Sequence, residues 1–186
     1  METVTETLTL GAIETSLGRL LVGATENGVA HLSFKDTPGT RARAVKRAGL
    51  PVVDDPGRTA EALAGLAEYF AGESVTFGVP IDWRLTSDVQ RTVLTTLYER
   101  VPYGKVVTYG ELDRLSGLGV GAQAIGQVMG SNPIPVIVPC HRVVAANGLG
   151  GYSGGSGVEV KRWLLTLEGS VPATLDWDPG QGPTGP

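Results

Sequence analysis

The residues with the most chemical promise in this 186-residue chain lie together, in Pro139-Cys140-His141-Arg142-Val143. Cys140 is the only cysteine, and His141 is one of two histidines. A thiol is nucleophilic as its thiolate, and an imidazole is an ordinary base for producing one. An isolated thiol, with a pKa near roughly 8.5, is mostly neutral at physiological pH, so Cys140 needs such a base. His141 is its neighbour, but adjacent side chains on an extended strand point to opposite faces, so contact requires a bend or a bridging water. The plainer reading of a Cys-His pair is a small buried thiol beside a satisfied histidine. The choice between the two depends on whether the rest of the chain holds the thiol still and gives it a pocket to face.

The elements around the pair do suggest such a frame. Val136-Ile137-Val138 reads as a buried strand leading into Cys140. Upstream, Ser87 caps a helix striped by Val89, Val93, Leu94 and Leu97. Thr108-Tyr109-Gly110-Glu111 has the capping-box pattern and opens a short helix to about Ser116. Gly117-Leu118-Gly119 breaks it, and a second helix follows over about 120–130, which is the layout of a helix-turn-helix. Downstream, residues 148–157 hold six glycines, as a mobile loop or a close backbone approach requires. Val160, Trp163, Leu164 and Leu167 stripe a last helix, closed by Glu168 and stopped at Gly169.

The first third reads as a small sheet. Leu20-Leu21-Val22 and Val29 to Phe34 flank Glu26-Asn27-Gly28, a strong hairpin signal. His31 is then an ordinary strand histidine. A short basic helix spans 38–48, and Asp55-Pro56 caps another with a stripe at Leu63, Leu66, Ala67 and Phe70. Val75, Phe77, Val79 and Ile81 alternate, as in a strand or extended connection. From 171 on, seven of 16 residues are Pro or Gly, so the expectation is a disordered tail. The fold class expected is α+β, with divisions at 1–84, 85–170 and 171–186.

Composition narrows the function classes. One cysteine leaves no internal disulfide and no Cys-rich zinc site, and two histidines are a poor basis for any other zinc site. No apolar run is long enough to span a membrane, no leader is visible, and a reduced, cytoplasmic setting fits. Net charge is −4, divided as −3 over 1–86, +1 over 87–170 and −2 in the tail. An acidic total argues against strong non-specific nucleic-acid binding but leaves room for a local DNA face.

The combination resembles the O6-alkylguanine-DNA alkyltransferases, also called methylated-DNA–protein-cysteine methyltransferases. The matching text is Pro102-Tyr103-Gly104-Lys105-Val106-Val107-Thr108-Tyr109-Gly110-Glu111-Leu112, Ala124-Ile125-Gly126, Ser131 through Val144 with Asn132-Pro133-Ile134-Pro135 and Pro139-Cys140-His141-Arg142-Val143, and Gly151-Tyr152-Ser153-Gly154-Gly155. Lys161, Trp163-Leu164-Leu165 and Glu168-Gly169 complete it. It covers 87–170 closely; residues 1–84 resemble the family's ribonuclease-H-like domain in layout only. The resemblance implies a winged helix-turn-helix alkyltransferase domain and a monomer without cofactor, acting once on double-stranded DNA that contains O6-alkylguanine. It implies Cys140 as nucleophile, His141 as its water-bridged base and Glu168 as the orienter of that base. By the same resemblance, Tyr109 would help flip the base and donate to guanine, and Asn132 would brace the cysteine segment. Main-chain carbonyls at Cys140 and Val143, with Tyr152 and Ser153, would line the guanine pocket. Two other readings stay open: a lesion-binding or regulatory DNA module without repair, and a paralogue specialised for another alkyl substrate. A cysteine hydrolase is a third, but it gives the helix-turn-helix no role.

One position departs from the family. Its recognition helix usually reads Ala-Arg-Ala-Val-Gly, and the arginine replaces the flipped base in the stack. Here the run is Ala122-Gln123-Ala124-Ile125-Gly126, and no Lys, Arg, Asp or Glu lies between Arg114 and Arg142. Glutamine can hydrogen-bond an orphan cytosine, but it lacks arginine's charge and planar fork. Gln123→Arg is therefore expected to tighten binding to duplex DNA by about three- to tenfold at fixed salt. Fluorescence anisotropy checks this, and an unchanged Kd would show that position 123 does not limit binding.

Overall fold

The computed structural model describes residues 5–175 and 177–183. Three strands, β1 (Thr9–Thr15), β2 (Gly18–Thr25) and β3 (Gly28–Ser33), form an antiparallel sheet in that order. The β2–β3 hairpin turns where the Asn-Gly signal lies, with Thr25 opposite Gly28. Gly28 is required there: its φ is 132°, and a Cβ would come within 2.3 Å of the Pro80 carbonyl oxygen. Helix α1 (Pro38–Ala48) starts with a Thr37–Thr40 capping box and ends at left-handed Gly49.

Helix α2 (Pro56–Phe70) covers the sheet. Ala62, Leu66, Tyr69 and Phe70 are buried in one apolar cluster with Leu20, Val22, Val29 and Leu32. Each large side chain so enclosed contributes roughly 1.5–3 kcal/mol. The expected stripe included Ala67, which is exposed; the inward row runs one step round, through Thr59, Ala62, Leu66 and Tyr69. Asp55 is the N-cap residue but makes no capping bond, and its carboxylate pairs with Arg58 at 3.4 Å instead.

The second half is mostly helical. Helix α3 (Asp88–Arg100) begins at a Ser87–Gln90 capping box. Helix α4 (Tyr109–Ser116) begins at Thr108–Glu111 and ends at Gly117, and α5 (Ala122–Gly130) follows. The turn between α4 and α5 is held by Asp113, whose carboxylate accepts the Val120 and Gly121 N–H groups, each at 2.9 Å. Strands β4 (Val107–Thr108) and β5 (Val143–Val144) pair in parallel across the helical unit. Helix α6 (Val158–Leu167) closes it. No helix among the described residues is long and apolar enough to cross a membrane.

Two expectations need correction. Val136-Ile137-Val138 is buried as expected, but it forms a compact turn and not a strand. Prolines at 133 and 135 remove two ladder donors, and the Ile134, Ile137 and Val138 N–H groups bond within the turn. The Pro/Gly-rich tail, expected to be disordered, lies back on the body over its described residues. Trp177 packs tilted against Trp163, ring centres 5.4 Å apart, and the Trp163 Nε1–H donates to the Gln181 carbonyl at 2.8 Å. Ser16 Oγ donates to the Pro179 carbonyl at 2.7 Å. One indole in a poor helix and strand former is enough to anchor an irregular segment.

The apolar core runs from the sheet through Phe70, 5.7 Å from Trp163, into the helical half. Trp163 is therefore packed on both sides, by Phe70 and by the tail. Deleting residues 171–186 uncovers one of those sides and is expected to lower Tm by about 3–8 °C. Differential scanning calorimetry of the truncated and full chains checks this, and equal Tm values would show that the tail contributes nothing.

Candidate active site

Asn132 organises the turn that carries the cysteine. Its amide donates to the Val138 carbonyl at 2.9 Å, and its side-chain oxygen accepts the Ile134 N–H at 3.0 Å. Between them Val136 has φ 72° and is spanned by an Ile137 N–H to Pro135 carbonyl bond of 2.9 Å. A left-handed γ-turn on a β-branched residue is strained, at a cost of roughly 1–3 kcal/mol. Ile134, Val136, Ile137 and Val138 are all within 1% of full burial, and this packing offsets the strain. β3 adds a grip from the sheet, as Leu32 N–H donates to the Pro133 carbonyl at 2.9 Å.

Cys140 opens a single 3-10 turn, Cys140–Arg142, and does not end a strand. Successive side chains in such a turn diverge by about 120°, so Cys140 and His141 are not forced onto opposite faces. His141 Nε2 lies 2.7 Å from Glu168 Oε1, with both side chains fully buried. Arg142 holds the same carboxylate at two points, Nε to Oε2 at 2.9 Å and NH2 to Oε1 at 3.0 Å. Its NH1 donates to the Val101 carbonyl at 2.8 Å. Tyr69 OH donates to Oε1 at 2.7 Å.

The protonation pattern follows. Burial acts to raise the Glu168 carboxyl, but His141 and Arg142 overcome it and hold the group at about 2. Burial lowers His141 more than Glu168 raises it, so the imidazole is neutral at rest and the lasting hold on the carboxylate is Arg142. An ionised carboxylate only accepts, so His141 carries its proton on Nε2. Nδ1 is left as a buried nitrogen with no protein partner. Burial pushes the Cys140 thiol up, while the Asn132 amide, the Tyr152 hydroxyl and the Lys161 charge pull the other way.

Cys140 lies on the wall of a cavity of about 340 Å³ lined by Tyr109, Gly126, Met129, Gly130, Gly151, Tyr152 and Ser153. Glycines make that space. A Cβ on Gly126 would meet the Tyr109 ring at 3.8 Å, and one on Gly150 (φ 73°) would come within 2.9 Å of the Tyr109 hydroxyl. Ser153 Oγ donates to the Gly130 carbonyl at 3.1 Å, which pins the glycine-rich loop to the end of α5. Val143 is fully buried behind the cavity, and its carbonyl accepts Lys161 Nζ at 2.6 Å. Ala122 and Gln123 are exposed on α5 and Ala124 is partly so, about one turn from the cavity wall at Gly126.

Of the expected site residues, Cys140, Tyr109, Tyr152 and Ser153 share the cavity, and Asn132, His141 and Glu168 form its support. Three contributors were not singled out from the sequence for a role: Tyr69, Arg142 and Lys161. Lys161 is fully enclosed, donates also to the Gly151 carbonyl at 3.1 Å, and lies 5.8 Å from the centre of the Tyr109 ring. Burial brings its pKa down to about 8, with Cys140 opposing. A lysine on the apolar stripe side of α6, next to Val160, was the available signal.

The fold and site together define a helix-turn-helix protein with a buried cysteine next to a carboxylate-held histidine. Two family models match it: 6-O-methylguanine DNA methyltransferase, ribonuclease-like domain, over residues 8–83, and the DNA binding domain of the same family over 88–170. The methylated-DNA–protein-cysteine methyltransferase of Methanosarcina acetivorans is 37% identical over 160 residues, covering 84% of this chain and 96% of that protein. The Mycobacterium tuberculosis protein of the same name is 46% identical over 123 residues, 65% of this chain and 72% of its own length. The crystal structure of Mycobacterium tuberculosis OGT in complex with DNA superposes with a TM-score of 0.71 at 34% identity, covering 87% of this chain and 93% of that one. The chain belongs to the 6-O-methylguanine DNA methyltransferase family.

The depressed carboxyl has a pH signature. Because the folded value of Glu168, about 2, lies below its ordinary 4.5, its contribution to stability is full above 4.5 and is lost as pH falls toward 2. His141 is also depressed, so its own loss begins as pH falls below 6.5. Glu168→Gln leaves Arg142 buried without its counter-charge and is expected to cost about 3–5 kcal/mol at pH 7. In urea unfolding, the gap between the two proteins should narrow from pH 4.5 to 2. A gap independent of pH would contradict this account.

Proposed function

We propose that this chain repairs O6-alkylguanine in double-stranded DNA by moving the alkyl group onto its own Cys140, once per molecule. The observation that carries the proposal is the bare His141 Nδ1, fixed by Glu168 beside a thiol that opens on the cavity next to the helix-turn-helix. The thiol proton passes to Nδ1, through a bridging water in the family's manner. The sulfur then bonds to the alkyl carbon as the carbon–O6 bond breaks, and its electron pair goes to guanine. Tyr109 donates a proton to the departing guanine and recovers it from solvent, while the imidazolium returns its proton to solvent, so the thiol's proton is the only net one transferred. The thioether has no leaving group that water in the site can displace, and the molecule is spent. Thiol, base and acceptor are all protein groups, and the step needs no cofactor.

The target base is stacked inside a duplex, so it must be flipped into the cavity at a cost of a few kcal/mol. Tyr109, at the first turn of α4, rotates the adjoining phosphate, and Ala122, Gln123 and Ala124 face the groove. Tyr152, Ser153 and the Cys140 carbonyl contact guanine. Val143 has a share in this only through the second lone pair of a carbonyl that already holds Lys161. One chain supplies relay, cavity and DNA face, which supports a monomer. The thiol must stay reduced to react, which supports a cytoplasmic setting. The uncharged α5 face favours a second reading, a lesion-binding module with weak or no repair.

Intact-protein mass after incubation with an O6-methylguanine duplex separates the two. The expected result is a gain of one methylene, stoichiometric and located on Cys140, and absent in Cys140→Ser, which should bind the duplex with unchanged affinity. Binding without any mass gain, under excess protein and long incubation, would establish the second reading.

A further inference from the structure

Glu168 Oε1 accepts a hydrogen bond that the cysteine–histidine relay does not itself require. The donor, Tyr69, comes from α2 in the ribonuclease-like half, 99 positions away in sequence. Tyr69 is 1% exposed, and its ring is fixed on three sides: by Phe70 at 5.3 Å edge-on, Phe77 at 5.3 Å and Tyr103 at 6.1 Å edge-on. Tyr103 in turn donates to the Leu167 carbonyl at 3.1 Å, one residue before Glu168, and its ring lies 5.9 Å from the Arg142 guanidinium carbon. Packing of this kind exceeds what a buried phenol needs for satisfaction; it aims the hydroxyl at one carboxylate oxygen.

We propose that Tyr69 is a positioning residue for alkyl transfer, through which the ribonuclease-like half holds the Glu168 carboxylate in line with His141. The inference rests on the alkyl-transfer reading above. Oε1 is shared by Tyr69, His141 Nε2 and Arg142 NH2, and Oε2 is taken by Arg142 Nε. The phenol keeps its proton, since burial and then the facing Glu168 charge push its pKa well up. It therefore donates at every working pH, withdraws charge from Oε1, and leaves less of that charge to attract a second proton onto His141. The other charged or titratable groups facing this pair are Arg142, Lys161, Tyr103, and Tyr152, whose hydroxyl is directed at the Cys140 thiol. None of them replaces the hydroxyl: Arg142 is committed to its fork, Lys161 to two carbonyls, and Tyr103 to Leu167. Without the Tyr69 hydroxyl, Oε1 keeps more charge for an imidazolium, so His141 holds a proton to higher pH and is less available as a base.

The test uses the full chain. Single-turnover transfer to Cys140 is followed across pH for the wild type, Tyr69→Phe and Phe77→Leu, together with duplex affinity. For Tyr69→Phe the acid limb of the rate profile is expected to move up by roughly 0.5–1 pH unit. Its rate should fall by about three- to tenfold on the acid side of that limb and little above it, with affinity unchanged. Phe77→Leu loosens the same cluster but keeps the hydroxyl, and should lower Tm without moving the limb. A uniform rate loss in Tyr69→Phe with an unmoved limb, or an equal limb shift in Phe77→Leu, overturns the proposal. Should Tyr69→Phe fail to fold, the wild type still decides: its Tyr69 hydroxyl proton should exchange slowly and give an NOE to the His141 Nε2–H, and a rapidly exchanging hydroxyl overturns the idea. No transfer by the wild type at any pH would instead remove the underlying reading.

Discussion

The site depends on one buried negative charge. Glu168 sits just past the C-terminal end of α6, where the helix dipole disfavours an anion, and it is removed from water. It is tolerable there because Arg142 binds it through a planar fork and Tyr69 and His141 complete its shell. Those three partners come from α2 and from the turn after Cys140, so the carboxylate ties the sheet-bearing half, the cysteine turn and the last helix together. The group that holds the His141 ring is also the group that joins the two halves of the molecule. Loss of that anion is a structural event before it is a chemical one.

Much of this was legible in the sequence, for reasons that can be named. Ser87, Thr108 and Glu111 marked helix starts because capping is local chemistry, and all three make the bonds expected of them. The Asn27-Gly28 hairpin was visible because a tight turn restricts residue choice. Cys140, His141 and Glu168 were picked out by type and motif, and the structure brings His141 to Glu168 across 27 positions. What stayed hidden was set by distant packing. Val136 to Val138 carried a strand's composition, but Asn132 and two prolines sent its backbone bonds into a turn. Tyr69 was passed over because the stripe of α2 was placed one step round, and a helix-wheel reading through Ala62 and Leu66 would have reached it. The tail showed how a single Trp can outweigh a run of turn-forming residues.

The turn itself is held by opposed forces. Val136 adopts a backbone conformation that β-branched residues avoid, while its side chain and those of Ile134, Ile137 and Val138 are sealed in the core. Asn132 bonds at both ends of this stretch, and β3 reaches Pro133 from the other side. Cys140 is thereby carried by backbone that cannot relax without breaking several bonds at once. Rigidity of this kind suits a displacement, in which sulfur, carbon and leaving oxygen must line up.

The solitary, sheltered cysteine also sets the protein's shelf life. A thiol raised in pKa by burial, with 4% of the residue exposed, offers little thiolate to peroxide or stray electrophiles. That matters because there is no second cysteine in the chain to capture a sulfenic acid as a disulfide, so an oxidised molecule has no internal way back. Cellular capacity would then be counted in molecules still unreacted when damage arrives, and a sulfur kept mostly protonated preserves that stock.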